Sequence, residues 1–345
     1  MKRDNLSFYE QQKNSRAVSI VSIPFEYGSD ARGLREAPEY LLKSGLETML
    51  GKNGFLVSSK ETIDCPKNLQ PTNQFPKYLD ETAAVARAAF DVVRSKRMAG
   101  ETVITLCGDH ASAIGSIMGA ACAGQRVGII YFDAHPDIHT HETTITGNTH
   151  AMVVSSAIGK GYSRFTSLGD VEQKVRPEDV LYVGIKDFDE NEPRLTRESG
   201  AQVSTMLEIA LHGLSQVTKA IDELSQKVDM IWVSMDLDSV DKIYAPGVAM
   251  PCTDGFTRRE ITSLAQYIGK TCTIAGLDIV EILPANDVDQ KTAGLAIELT
   301  ARFLGGEYTW YRAYMDPYET KRKRLSKKSG KKTGVVAKKR LITTQ

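Results

Sequence analysis

The sequence predicts a single α/β domain, a doubly wound and mainly parallel sheet of about eight strands with helices on both faces, followed by a disordered basic tail. Three observations lead there. Short β-branched runs alternate with longer helix-patterned segments along most of the chain, as repeated strand–helix–strand units require. The runs are almost continuously apolar, which suits strands covered on both faces. Acids and imidazoles fall directly after several of these runs, where the carboxyl ends of parallel strands line a ligand crevice.

In chain order, strands are expected at 17–23 (AVSIVSI), 102–107 (TVITLC), 126–132 (RVGIIYF), 180–186 (VLYVGIK), 229–235 (DMIWVSM) and 273–280 (TIAGLDIV), with weaker ones near 55–58 and 201–205. Helices are expected at 37–50, 78–97, 112–123, 215–227, 257–269 and 288–304. Thr257 and Glu260 have capping-box spacing at the start of the fifth helix. With no internal repeat and no linker, residues 17–319 read as one domain, 1–16 as a polar lead-in and 320–345 as the tail.

Composition bounds the function. Apolar residues at 41% and charged residues at 25% describe a globular protein. No apolar stretch approaches the roughly 20 residues needed to span a bilayer, and the amino terminus lacks a secretory core, so a cytoplasmic location is expected. Five cysteines without a C-x-x-C pair exclude a disulfide framework or zinc knuckle. The zero net charge hides an asymmetry: residues 320–345 hold 11 of the 43 basic residues and no acid, leaving 32 against 43 in the body. That tail is a solvated extension or an address for nucleic acid, an acidic membrane face or a nuclear import receptor.

Five expected strands end in polar clusters: GDH after Cys107, DAHPD after Phe132, DFD after Lys186, DLD after Met235, and Glu281 after Val280. Strand periodicity places Asp133, His135 and Asp137 on one side, and Asp236 with Asp238 on one side. Converging with His110, they bring four carboxylates together. Like charges so crowded need two dications to offset them. An oxygen-rich set with two imidazoles and no thiolate suits Mn²⁺, with Co²⁺, Ni²⁺ or Zn²⁺ as alternatives. Metals about 3.5–4 Å apart bridge a water and hold it as hydroxide at neutral pH.

The segments CGDHASAIGSIMGAA, DAHPDIHTHETTITGNTHAM, VSMDLDSVDKIYAPGV and GLDIVEILPA resemble the signatures of the ureohydrolase superfamily, which includes arginase, agmatinase and formimidoylglutamase, and are most like arginase. The resemblance implies two Mn²⁺ per subunit. His110, Asp133, Asp137 and Asp236 would hold one; His135, Asp133, Asp236 and Asp238 the other, with Asp133 and Asp236 bridging. It implies cleavage of the L-arginine guanidinium to L-ornithine and urea by a metal-bridging hydroxide, with His150, Glu281 and Asp137 as catalytic groups. Of these, His150 matches the proton shuttle and Glu281 the carboxylate that receives the guanidinium. Thr144, Thr146 and Asn148 match the α-carboxylate cradle, Asp189 and Glu192 the α-amino contacts. A homo-oligomer, trimer or hexamer, is implied as well.

The chain also departs from the arginase pattern. His139 stands where an asparagine usually contacts the α-carboxylate, Ala111 replaces a serine, Ala151 a glycine and Lys242 a proline. None removes a metal ligand, but His139 leaves agmatine, a guanidino acid or a formimino compound open as the substrate. No two histidines are adjacent, unlike the paired-histidine motif of zinc deacetylases. An inert scaffold whose basic tail does the work is the remaining alternative; a complete ligand set argues against it.

Overall fold

The computed structural model describes residues 14–170 and 175–307. Contacts divide the chain into a unit spanning 1–306 and another spanning 307–345. The expected tail, the end of the expected domain at 319 and most of the lead-in lie outside the described residues. At the lead-in's end, however, Asn14 is buried: its Nδ2 donates to Gly269 O at 3.1 Å and its Oδ1 accepts from Ile274 N at 2.8 Å.

Among the described residues, eight strands form one sheet: β1 (Ala17–Ile23), β2 (Leu56–Thr62), β3 (Thr102–Cys107), β4 (Val127–Phe132), β5 (Val180–Ile185), β6 (Gln202–Thr205), β7 (Met230–Asp236) and β8 (Ile274–Val280). Every pairing is parallel, in the order β2-β1-β3-β8-β7-β4-β5-β6. The chain steps from β3 across to β4, and β7 and β8 later fill the gap. The strands whose ends carry the polar clusters are therefore the five contiguous central ones.

The strands alternate their side chains between two cores. Ile130 and Phe132 of β4 join one cluster; Val127, Ile129 and Tyr131 join the other. The first core is closed by α1 (Ala37–Lys43), α2 (Leu46–Lys52), α8 (Met206–His212), α9 (Leu214–Lys227), α10 (Arg258–Thr271) and α11 (Lys291–Phe303). The second is closed by α3 (Leu79–Met98), α4 (Ala113–Ala121) and α5 (Val153–Ala157), with the short α6 (Ser163–Thr166) beside them. Helix α7 (Glu192–Ser199) follows β5. Among the described residues no helix is long and apolar enough to cross a membrane.

The differences from expectation are local. The helix expected at 37–50 breaks into α1 and α2 because Gly45 takes φ +103, a left-handed conformation that glycine enters without a Cβ penalty. The helix expected from 288 starts at Lys291, since Asp289 and Gln290 have positive φ. Strand β2 is longer than expected but is an edge strand with an exposed face, which weakens its apolar signal. The Thr257–Glu260 capping box forms as expected, and an equivalent Thr205–Glu208 box starts α8.

Candidate metal centre

Past β3 the chain keeps pairing with the segment after β1: Gly108 N donates to Ile23 O and Asp109 N to Phe25 O, both at 3.0 Å. A Cβ on Gly108 would lie 1.8 Å from Phe25 O, so only glycine permits this approach. The path delivers His110, fully buried, to the first turn ahead of α4. Its Nε2 lies 2.9 Å from Ser234 Oγ, which turns Nδ1 toward the carboxylates.

Asp133, His135 and Asp137 do not share a strand face as expected. β4 ends at Phe132, and the acids lie on a turn in which Asp137 has φ +46. Likewise β7 ends at Asp236, and Asp238 sits in a 3-10 turn, Leu237–Ser239, whose Asp238 N–H donates to Asp236 Oδ1 at 2.9 Å. The side chains converge because tight turns fold them back over the rim, not because they share a strand face. Backbone bonds hold the turns together: Ala134 N donates to Asp238 Oδ1 at 3.1 Å, and Ala134 O accepts from Lys186 N and Asp187 N, both at 2.9 Å.

Two donor groups result. His110 Nδ1 faces Asp133 Oδ2 at 3.1 Å, Asp137 Oδ2 at 3.3 Å and Asp236 Oδ2 at 3.3 Å. His135 Nδ1 faces Asp238 Oδ2 at 3.1 Å and Asp133 Oδ1 at 3.4 Å. Asp133 thus presents one oxygen to each group; Asp236 presents Oδ2 to the first alone among these imidazoles. Asp133 Oδ2 is buried without a hydrogen-bond partner.

The electrostatics have the same sense. Burial, then the charge of Asp133, pushes Asp137 up to about 8. Burial and then Asp238 hold Asp236 well above the carboxylate range, and burial with Asp133 raises Asp238. Burial disfavours the cationic forms of His110 and His135, but the surrounding carboxylates win and raise both. Carboxylates that cannot all stay ionised beside one another, with imidazole nitrogens converging among them, fit divalent cations by donor chemistry and by number.

The centre opens on a cavity of about 550 Å³. Its wall includes every expected metal donor except His110, together with His139, Thr146, Asn148, His150, Asp189, Glu192 and Glu281. Thr144 is not on the wall: its buried Oγ1 accepts from Gly147 N at 3.0 Å and shapes the loop. Glu281, at φ +60, accepts from His110 N at 2.8 Å and from His150 Nδ1 at 3.3 Å, both on Oε1. Burial opposes a charge on His150, but Glu281, Asp137 and Asp109 outweigh it and bring it up to about 9.

The cradle residues are engaged with one another. His139 Nδ1 lies 3.1 Å from Thr143 Oγ1, and Nε2 donates to Asp189 Oδ2. Asp189 Oδ1 also accepts from Asn191 N and Glu192 N at the start of α7. Asn148 Nδ2 donates to Asp30 Oδ2 at 3.1 Å, while Lys77 Nζ donates to Asn148 Oδ1 at 3.1 Å.

Sequence reasoning passed over several groups here. Tyr131 and Ser234 contact His110 from inside apolar strand runs, where a polar residue reads as part of the pattern. Asp109, beside His110, is buried, and burial followed by the charge of Glu281 raises it to about 7. Its Oδ2 accepts from Gly28 N at 2.6 Å, a partner 81 residues away that no local signal reveals.

Fold and donor set define the class: an all-parallel α/β protein with a candidate cation centre at the carboxyl ends of its central strands. The Arginase family model matches residues 16–305. The chain is 32% identical to an arginase of Brevibacillus brevis, over 84% of this chain and 98% of that one. The solved arginase of Bacillus caldovelox superposes with a TM-score of 0.81 at 29% identity, covering 86% of this chain and all of the other. A crystal structure of Entamoeba histolytica arginase in complex with L-ornithine gives 0.77 at 27%, covering 86% and 99%. The chain belongs to the arginase family. It is accordingly a ureohydrolase, a hydrolase acting on C–N bonds.

Proposed function

We propose that the protein cleaves L-arginine to L-ornithine and urea with two Mn²⁺ per subunit, Co²⁺, Ni²⁺ or Zn²⁺ being the alternatives. The observation that carries this reading is a buried carboxylate, Glu281, paired with His150 and facing the same cavity as both donor groups. His110, Asp133, Asp137 and Asp236 would hold one cation; His135, Asp133, Asp236 and Asp238 the other. When bound, the pair supplies Lewis-acid charge and lowers the pKa of water so that it attacks at neutral pH. Glu281 receives the planar guanidinium and orients its carbon toward the donor groups. Water adds to that carbon, the bond to the side-chain nitrogen breaks, and the leaving amine takes a proton, for which His150 is placed. By family resemblance, the enzyme works as a cytoplasmic homo-oligomer.

The E. histolytica relative was crystallised with L-ornithine, a ligand this reading makes a product here. One observation favours a second reading, the same chemistry on agmatine or another guanidino or formimino compound. His139 and Asp189, which would each take one end of an α-amino acid, bond to each other.

Urea release after manganese loading separates the readings. L-Arginine is expected to be turned over. Turnover of agmatine alone replaces the substrate, and no urea from any guanidino compound rejects the reaction. His150→Ala is expected to lower kcat about 10²-fold with both cations retained; loss of metal instead would make His150 a ligand.

A further inference from the structure

We propose that Tyr131 and Tyr182 form a clamp that holds Asp137 in its left-handed turn and thereby sets the affinity of the cation position at His110. The proposal rests on the reading of the donor groups as a cation centre.

The two tyrosines are register partners on the adjacent strands β4 and β5, fully buried on the same face of the sheet, with rings edge to face at 5.6 Å and 81°. Phenylalanine would fill either space. A buried hydroxyl requires a partner, and both hydroxyls spend theirs on the same two-residue turn. Tyr182 donates to Pro136 O at 2.8 Å, and Tyr131 donates to Asp137 Oδ2 at 2.7 Å. The turn between them carries Asp137 at φ +46, a conformation that a non-glycine residue keeps only where its surroundings impose it.

Tyr131 does more than pin the carboxylate. Its ring stacks on the His110 imidazole, with centroids 4.8 Å apart and planes within 3°. Its oxygen lies 3.2 Å from His110 Nδ1. One side chain on β4 therefore fixes the orientation of two donors, from the turn after β3 and from the turn after β4, that face the same point. Neither tyrosine hydroxyl bonds to His135 or Asp238. The clamp acts on one position of the pair.

The test is calorimetric titration of the full-length, chelator-stripped protein with Mn²⁺ alone, with thermal melts of the metal-free chains as a control on folding. Tyr131→Phe keeps the stack and deletes one oxygen; it should weaken one Mn²⁺ position about 10–100-fold and leave the other unchanged, the size expected when a ligand loses its orienting partner. Tyr182→Phe acts through the backbone and should weaken the same position by less. It carries the test alone if the first variant fails to fold. Unchanged affinities in the folded variants, or equal losses at both positions, overturn the clamp while the cation centre stands. An unaltered chain that takes up no Mn²⁺ overturns the centre and the clamp with it.

Discussion

Asp133→Ala is expected to yield a folded chain that retains neither cation and releases urea at least about 10³-fold more slowly than the parent. The reason lies in how its oxygens are divided. Oδ2 faces His110 and Oδ1 faces His135, so among the described residues Asp133 is the carboxylate whose two oxygens face both imidazoles. Asp137 bonds only on the His110 side and Asp238 only on the His135 side, so Asp238→Ala should cost a single cation. A further Asp133 contact, Oδ1 accepting from His135 N at 2.7 Å, sets the turn that carries the second imidazole. The rate loss follows from removing Lewis-acid stabilisation worth several kcal/mol; about 4 kcal/mol corresponds to the stated factor. Metal analysis after dialysis, alongside the urea assay, checks both parts. One tightly held cation in Asp133→Ala would mean that the two positions are independent.

How much of this the sequence disclosed differs by level. The central strands were legible because burial on both faces demands unbroken apolar runs, and β1 and β3 fall on the expected residues. The rim was legible because acids have no other reason to follow so many such runs. Strand order was not, since nothing local in β8 says that it inserts between β3 and β7. The direction of the donors follows a different route from the expected one: strand alternation assumes extended backbone where Asp137 has positive φ and Asp238 sits in a 3-10 turn. Extended strands and tight turns both bring these residues to one rim, which is why the grouping survives the change of backbone. Tyr131 and Tyr182 stayed hidden for the converse reason, since an aromatic in an apolar strand reads as packing until its hydroxyl is seen to have a polar partner. His139 is legible in the sequence as a departure, but its engagement with Asp189 spans 50 residues and leaves no local signal.

Glu281→Gln should lower kcat/KM for the guanidino substrate by about 10³-fold while both cations stay bound. Glutamine retains an acceptor for the His110 N–H at 2.8 Å, so the turn after β8 should hold and the first donor group should keep its shape. What disappears is the charge. A guanidinium brought into this buried cavity loses its anionic partner, an omission that costs about 2–5 kcal/mol for buried charge pairs; about 4 kcal/mol, within that range, gives the factor above. A second effect runs through His150. Glu281 is the chief group raising its pKa against burial, so the variant holds the His150 proton less firmly at neutral pH. Folded-state elevation of this kind favours the protonated form below about 9, and without it the imidazole returns toward its ordinary value near neutrality. Glu281→Gln should therefore raise KM and lower kcat together, whereas His150→Ala lowers kcat alone. If the variant kept kcat/KM within tenfold of the parent, the guanidinium would have to be bound elsewhere, and the acids at Asp187, Asp189 and Glu192 on the same wall would be the next place to look.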